Sequence, residues 1–252
     1  MSLPILETCF SPALLHLYDL SGRVVVIIDV FRATSTMAAV LHLGAHQIIP
    51  VDQVDACIQL GNEIPNSITA GERDGKVAPG LQHGNSPLEY SADFIRNKTM
   101  VLTTTNGTRL LHQCLQADEI ITGSFLNLGA VCDYLIQQKK PVLLACASWK
   151  DRYNLEDSLF AGAVYQTVKE HFSMNCDSTR AAAHLYQQAQ NDLYGFIQDS
   201  SHYLRLSAYG LQRDMEYCCG INTHNVLIRL EEDEGRRVLR IPTGGLSHTS
   251  LQ

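Results

Sequence analysis

The chain has 252 residues, the length of one large domain or two small ones. Apolar residues make up 45% and charged residues 18%, which excludes a disordered chain, and no apolar run approaches the ~20 residues of a membrane span. Lys and Arg number 19 against 26 Asp and Glu, a formal charge of −7, so a nucleic-acid binder working through overall basicity is excluded.

The first basic residue is Arg23, and nothing before it resembles a secretory leader, so a cytoplasmic location is expected. From residue 24 to about 170, short β-rich runs alternate with helical stretches. Strands are predicted at Val24–Ile28, Gln47–Val51, Ser67–Ala70, Met100–Thr104, Glu119–Thr122 and Val142–Ala147. Helices are predicted near 33–43, 53–60, 87–96, 108–115, 127–138 and 156–170. Several strands are apolar on both faces, as strands covered by helices on each side must be. The alternation therefore predicts an α/β fold, layered α/β/α, with a largely parallel or mixed sheet. Ser86-Pro87-Leu88-Glu89 reads as a capping box with proline at the first helical position. Residues 179–219 read as mainly helical. Val226–Leu230 and Val238–Ile241 flank an acidic Gly-containing turn and predict a hairpin, and the tail after Pro242 is expected to fray. The whole is read as a single domain, with two closely packed lobes, about 1–140 and 141–252, as the finer division.

Eight cysteines are scattered without a C-x-x-C pair, the pattern of buried reduced thiols. The ten histidines lack an H-E-x-x-H pattern, and Gly44 separates His42 from His46, which disfavours zinc.

In open α/β sheets, ligands bind beyond the carboxyl ends of the strands. Those ends are polar here. Asp29 closes the first apolar strand, Arg32 follows, and Thr34, Ser35 and Thr36 open a helix. Orphan N–H groups, hydroxyls and the arginine make an anion pocket there, and Asp29 beside it calls for a divalent cation. An N-capping aspartate is the plainer reading of the same residues. Thr103-Thr104-Thr105-Asn106-Gly107-Thr108-Arg109 repeats the pattern at another strand-to-helix junction. The stretch from Gly71 to Pro87 forms a long loop carrying Glu72, Arg73, Asn85 and Ser86. Glu156-Asp157 opens a later helix, where acidic residues serve either the helix dipole or Mg²⁺.

These stretches, in this order, resemble the 2-phosphosulfolactate phosphatase family (the ComB type). The matching pieces are Asp29 to Thr36, Gly71-Glu72-Arg73, Gly84-Asn85-Ser86-Pro87, Thr104 to Thr108 and Glu156-Asp157, with a looser match around Asp214. Two departures stand out: Phe31 replaces a usual leucine, and Asp74 stands where a second glycine is common. The resemblance implies a Mg²⁺-dependent phosphatase that converts 2-phospho-3-sulfolactate to 3-sulfolactate and phosphate, a step in coenzyme M synthesis. A related small anionic phosphoester is the alternative substrate, and a homodimer is left open.

On that reading Asp29, Arg32, Glu72 and Asn106 are the catalytic candidates, and Asp29, Glu72, Glu156 and Asp157 the Mg²⁺ candidates. Thr34, Ser35, Thr36, Asn85, Ser86, Thr105, Gly107 and Thr108 are the substrate-binding candidates, with Arg73, Arg109, Lys150 or Arg152 meeting the sulfonate and carboxylate. Two rivals remain. Cys146 to Arg152 fits the C-x₅-R spacing of cysteine phosphatases, although the loop lacks glycine and carries Asp151. Alternatively, the pocket serves a small-anion sensor without turnover.

Overall fold

The computed structural model describes residues 2–242, so the expected fraying after Pro242 lies outside the described residues. Ten strands form one sheet: β1 (Leu6–Cys9), β2 (Val24–Ile28), β3 (Gln47–Pro50), β4 (Ser67–Arg73), β5 (Lys76–Val77), β6 (Thr99–Thr103), β7 (Glu119–Gly123), β8 (Val142–Cys146), β9 (Ile228–Asp233) and β10 (Arg236–Arg240). The principal helices are α1 (Ala33–His42), α2 (Val54–Glu63), α3 (Ala92–Ile95), α4 (Gly107–Gln113), α5 (Leu128–Gln138) and α6 (Leu155–Val168). They continue with α7 (Asp177–Ala189), α8 (Leu193–Ile197), α9 (Ser201–Ser207) and α10 (Gln212–Cys218).

The sheet order is β1-β8-β2-β7-β9-β10-β3-β6-β4-β5. It contains two parallel blocks, β1-β8-β2-β7 and β3-β6-β4. The hairpin β9–β10 joins them through antiparallel pairing, β9 with β7 and β10 with β3. Burial on both faces explains why the central strands are apolar throughout. On β2, Val24, Val26 and Ile28 pack with residues of α5, α6 and α7, while Val25 and Ile27 pack on the other side with α1 and α4. The layered α/β architecture expected from the alternation is the one observed. Among the described residues, no helix is long and apolar enough to cross a membrane.

Some local expectations change. The strand β1 escaped the sequence reading because it is four residues long and lies at the sheet edge, paired only with β8. The helix expected over 87–96 is instead a single 3₁₀ turn, Pro87–Glu89, followed by the short α3. Ser86 does cap that turn, accepting from Leu88 N–H at 3.2 Å. The Glu89 carboxylate does not close the box; it accepts from Gly84 N–H at 2.9 Å. The loop expected from Gly71 begins later, because β4 runs on to Arg73 and turns into β5 through Asp74-Gly75. Both turn residues have left-handed backbone, φ +52° and +79°, as a two-residue Asp-Gly hairpin turn requires. Aspartate tolerates left-handed backbone better than most residues with a Cβ, so Asp74 is compatible with this turn.

Candidate active site

The carboxyl ends of β2, β4, β6 and β8 open into one pocket, roofed by α9. Asp29, Arg32, Glu72, Asn85, Thr105 and Asn106 line it. Beyond the last residue of β2, Asp29 N–H donates to Thr34 Oγ1 at 3.1 Å, and Thr34 N–H donates to the Asp29 carbonyl at 3.0 Å. This closed turn fixes the Asp29 backbone. Gly107, first residue of α4, lets that helix approach: a Cβ there would lie 2.7 Å from Asp29 Oδ2. Across the pocket Glu72 is held at both oxygens, accepting from Thr105 N–H and from Gly75 N–H, each at 3.0 Å. Arg32, joined to Phe31 by a cis peptide, is buried and paired with Asp214, whose other oxygen accepts from Ser86 Oγ at 2.9 Å. Ser86 thus reaches the site through Asp214.

Burial first, then repulsion from Glu72 and Glu156, pushes the Asp29 carboxyl up to about 7, against the opposing pull of His202 and the Ala33 N–H. Glu156 is fully buried; one oxygen bonds His202 Nδ1 and the other, Oε2, has no partner. Asp157 does something different. Its Oδ1 accepts from Val30 N–H at 2.9 Å and its Oδ2 from Ser148 N–H at 3.1 Å, clamping the ends of β2 and β8 together. Burial and the neighbouring Glu156 and Asp29 charges raise its carboxyl well above the ordinary range.

The remaining sequence candidates lie around the pocket without lining it. Ser35 Oγ donates to the Val30 carbonyl at 2.9 Å and Thr36 Oγ1 to the Asn85 carbonyl at 3.0 Å, so with Thr34 all three hydroxyls are committed to backbone. Thr108 Oγ1 closes a turn onto Thr104 at 3.0 Å. Arg73 is tied to the Glu72 carbonyl at 2.7 Å and Thr103 Oγ1 at 3.0 Å, and Arg109 is paired with Asp151. Cys146 is buried in β8, and burial with the nearby Asp157 raises its thiol far above its usual value, the opposite of what a nucleophilic thiolate requires.

Sequence reasoning missed the contribution of α9 and of the turn after β8. His202, Arg205 and Tyr209 line the pocket from the helix side, with Trp149 from the turn. His202 and Arg205, three apart, share one face of α9, and Tyr209 follows in the turn beyond its end. Phe31 and Asp74, the two departures noted above, also line the pocket.

Among the described residues, no group of three or more His, Cys, Asp or Glu side chains converges as a metal set. Asp29 and Glu72 nevertheless share the pocket wall and repel one another, and Glu156 keeps an orphaned buried oxygen. A Mg²⁺ ion commonly uses one or two carboxylates, substrate oxygens and waters, so this oxygen-only pair fits it. Asp157 has no place in the pocket lining and lies outside that pair.

Residues 9–233 match the family model described as 2-phosphosulpholactate phosphatase. A protein of Caldanaerobacter subterraneus subsp. tengcongensis, named probable 2-phosphosulfolactate phosphatase, is 34% identical over 84% of this chain and 90% of its own length. Proteins of the same name from Thermotoga petrophila and Synechocystis sp. are 41% and 36% identical, over 78% and 77% of this chain and 84% and 83% of theirs. With the match spanning the strand ends that build the pocket, this chain belongs to the 2-phosphosulpholactate phosphatase family.

Proposed function

We propose that this protein is a Mg²⁺-dependent phosphatase acting on 2-phospho-3-sulfolactate, or on a closely related small anionic phosphomonoester, to release phosphate and the hydroxy acid. The observation carrying this reading is the meeting of Asp29, Arg32, Glu72 and Asn106 in one pocket. Family membership and the names of the relatives supply the substrate. Phosphomonoester hydrolysis is extremely slow without a catalyst, and the main requirement is stabilisation of charge on the phosphoryl oxygens. Arg32, oriented by Asp214, supplies a fixed guanidinium for those oxygens, and Asn106 a side-chain amide. Asp29 and Glu72 would hold Mg²⁺, which when bound neutralises the phosphoryl charge and lets the anion approach two carboxylates. His202, fixed at Nδ1 by Glu156 and lining the same pocket, is placed to carry a proton to or from the reacting group.

Phosphate release from a panel of phosphorylated hydroxy acids, with Mg²⁺ and with chelator, tests the reading. Mg²⁺-dependent turnover is expected, and Asp29→Asn should lower kcat by about 10³-fold or more, the scale of losing a preorganised charge at the reacting centre. Near-normal turnover in the Asp29→Asn variant refutes the role of Asp29. Tight binding of the phosphoester without phosphate release favours the anion sensor instead.

A further inference from the structure

Two arginines line the pocket, and they differ in what already neutralises them. Arg32 is buried against Asp214. Arg205 enters from α9 with its Cζ 3.5 Å from the centroid of the Trp149 ring, and among the described residues it makes no ion pair and no side-chain hydrogen bond. A guanidinium resting on an aromatic ring has one face occupied and keeps its in-plane N–H fork for an anion. The other candidate cations, Arg73, Arg109, Lys150 and Arg152, do not line the pocket. Arg73 and Arg109 are bonded elsewhere, and Lys150 is largely exposed, its Nζ 4.0 Å from Asp74 and 4.8 Å from the Trp149 centroid against 3.5 Å for the Arg205 guanidinium.

The turn presenting Trp149 is specially built. Ser148, Lys150 and Asp151 all have left-handed backbone, at φ +52°, +50° and +62°, a costly conformation for residues with a Cβ. Trp149 and Arg152 exchange backbone hydrogen bonds across it, at 3.1 and 3.0 Å, and Asp157 anchors its first N–H. The platform under Arg205 is therefore fixed by the same carboxylate that clamps β2 to β8.

We propose that Arg205, seated on Trp149, is the specificity-determining cation of the pocket. It binds a second anionic group, carboxylate or sulfonate, of a small phosphomonoester whose phosphoryl group lies against Asp29 and Arg32. The inference rests on the phosphatase reading for the phosphoryl end alone. On this assignment the pocket discriminates against phosphomonoesters with a neutral tail.

Two measurements on the full chain decide it. The first compares kcat/KM for 2-phospholactate with that for glycerol 2-phosphate, a secondary phosphomonoester without the extra anion, in wild type, Arg205→Met and Arg205→Lys. Methionine keeps an apolar stem over Trp149; lysine keeps the charge without the fork and serves if the methionine variant fails to fold. The ratio of the two kcat/KM values should fall about 30-fold in the methionine variant, chiefly through KM, and about 10-fold in the lysine variant, the scale of a lost charge-assisted contact. The second measures calorimetric binding of 3-sulfolactate, which should weaken by about tenfold or more in both variants. If wild type hydrolyses both esters and neither the ratio nor 3-sulfolactate binding changes in the two variants, the assignment of Arg205 is overturned while the phosphatase reading stands. If wild type hydrolyses neither these esters nor 2-phospho-3-sulfolactate yet binds 3-sulfolactate through Arg205, the phosphatase reading falls and the assignment stands. A wild type that neither binds nor hydrolyses overturns both.

Discussion

Asp29 shows what burying a carboxylate among carboxylates costs. Its folded-state pKa of about 7 lies above the ordinary value of 3.8, so folding takes up a proton there. The sign follows: Asp29 disfavours the folded state least at low pH, and the penalty grows as pH rises from the unfolded value through the folded one. From this group alone, metal-free protein should be about 2 kcal/mol less stable near pH 8 than near pH 5.5. That corresponds to roughly 5 °C in Tm for a chain of this size. A bound divalent cation favours the ionised carboxylate, so Mg²⁺ should raise Tm more at the higher pH. Calorimetry of chelator-treated and Mg²⁺-loaded protein checks this, and Asp29→Asn should reduce the difference between the two pH values, the raised Asp157 carboxyl supplying the remainder. Equal Mg²⁺ shifts at both pH values in wild type would count against the ion sitting at Asp29. The convergence of Asp29, Arg32, Glu72 and Asn106 was readable in the sequence because each polar residue stands at or just beyond the end of an apolar strand. The engagement of Thr34, Ser35 and Thr36 was not readable, because a hydroxyl that satisfies backbone and one that faces a ligand leave the same trace in a sequence.

The elements around the site are held by carboxylates that face away from its lining. Asp157 opens α6, where an acidic residue in the first turn reads equally as a dipole partner or a metal ligand; the structure shows a brace between two strand ends. Asparagine at this position keeps the shape but offers one acceptor oxygen, so its NH₂ would face either Val30 N–H or Ser148 N–H as a second donor. One buried N–H would then lack a partner, and Asp157→Asn should cost about 2–3 kcal/mol. The expected drop in Tm is roughly 5–10 °C, measured at fixed pH. Because Ser148 N–H leads directly into the turn carrying Trp149, the fluorescence of that tryptophan should change in the folded variant as well. A variant with wild-type Tm and emission would show that the brace is dispensable. α9 was harder to read than α6. It is seven residues long, lies among other short helices, and carries His202 and Arg205 without any spacing that matches a metal or nucleophile motif.

For the whole molecule, the alternation of apolar strands and helices was enough to read the layers, because each layer leaves its own period in the chain. Strand order was not readable. The hairpin β9–β10 comes last in sequence yet lies in the middle of the sheet, and its pairings with β7 and β3 join residues separated by about a hundred positions or more. Its sequence explains how it tolerates that place: Ile228, Val238 and Leu239 are buried, whereas the turn between the strands is acidic and exposed. Two parallel blocks that meet only through this hairpin within the sheet should unfold together as long as it is intact. Leu239 is fully buried and lies opposite Ile48 on one side and Leu230 on the other. Leu239→Ala should therefore cost about 2–5 kcal/mol, far more than truncation at an edge strand. A lowering of Tm by roughly 5–15 °C is expected. Trp149, the sole tryptophan, stands in the turn after β8 and reports on the β1-β8-β2-β7 block, whereas far-UV circular dichroism reports on the whole sheet. If the hairpin couples the blocks, both signals shift together in the variant and keep one midpoint. If tryptophan fluorescence holds the wild-type midpoint while circular dichroism melts earlier, the blocks stand independently and the hairpin is only an infill between them.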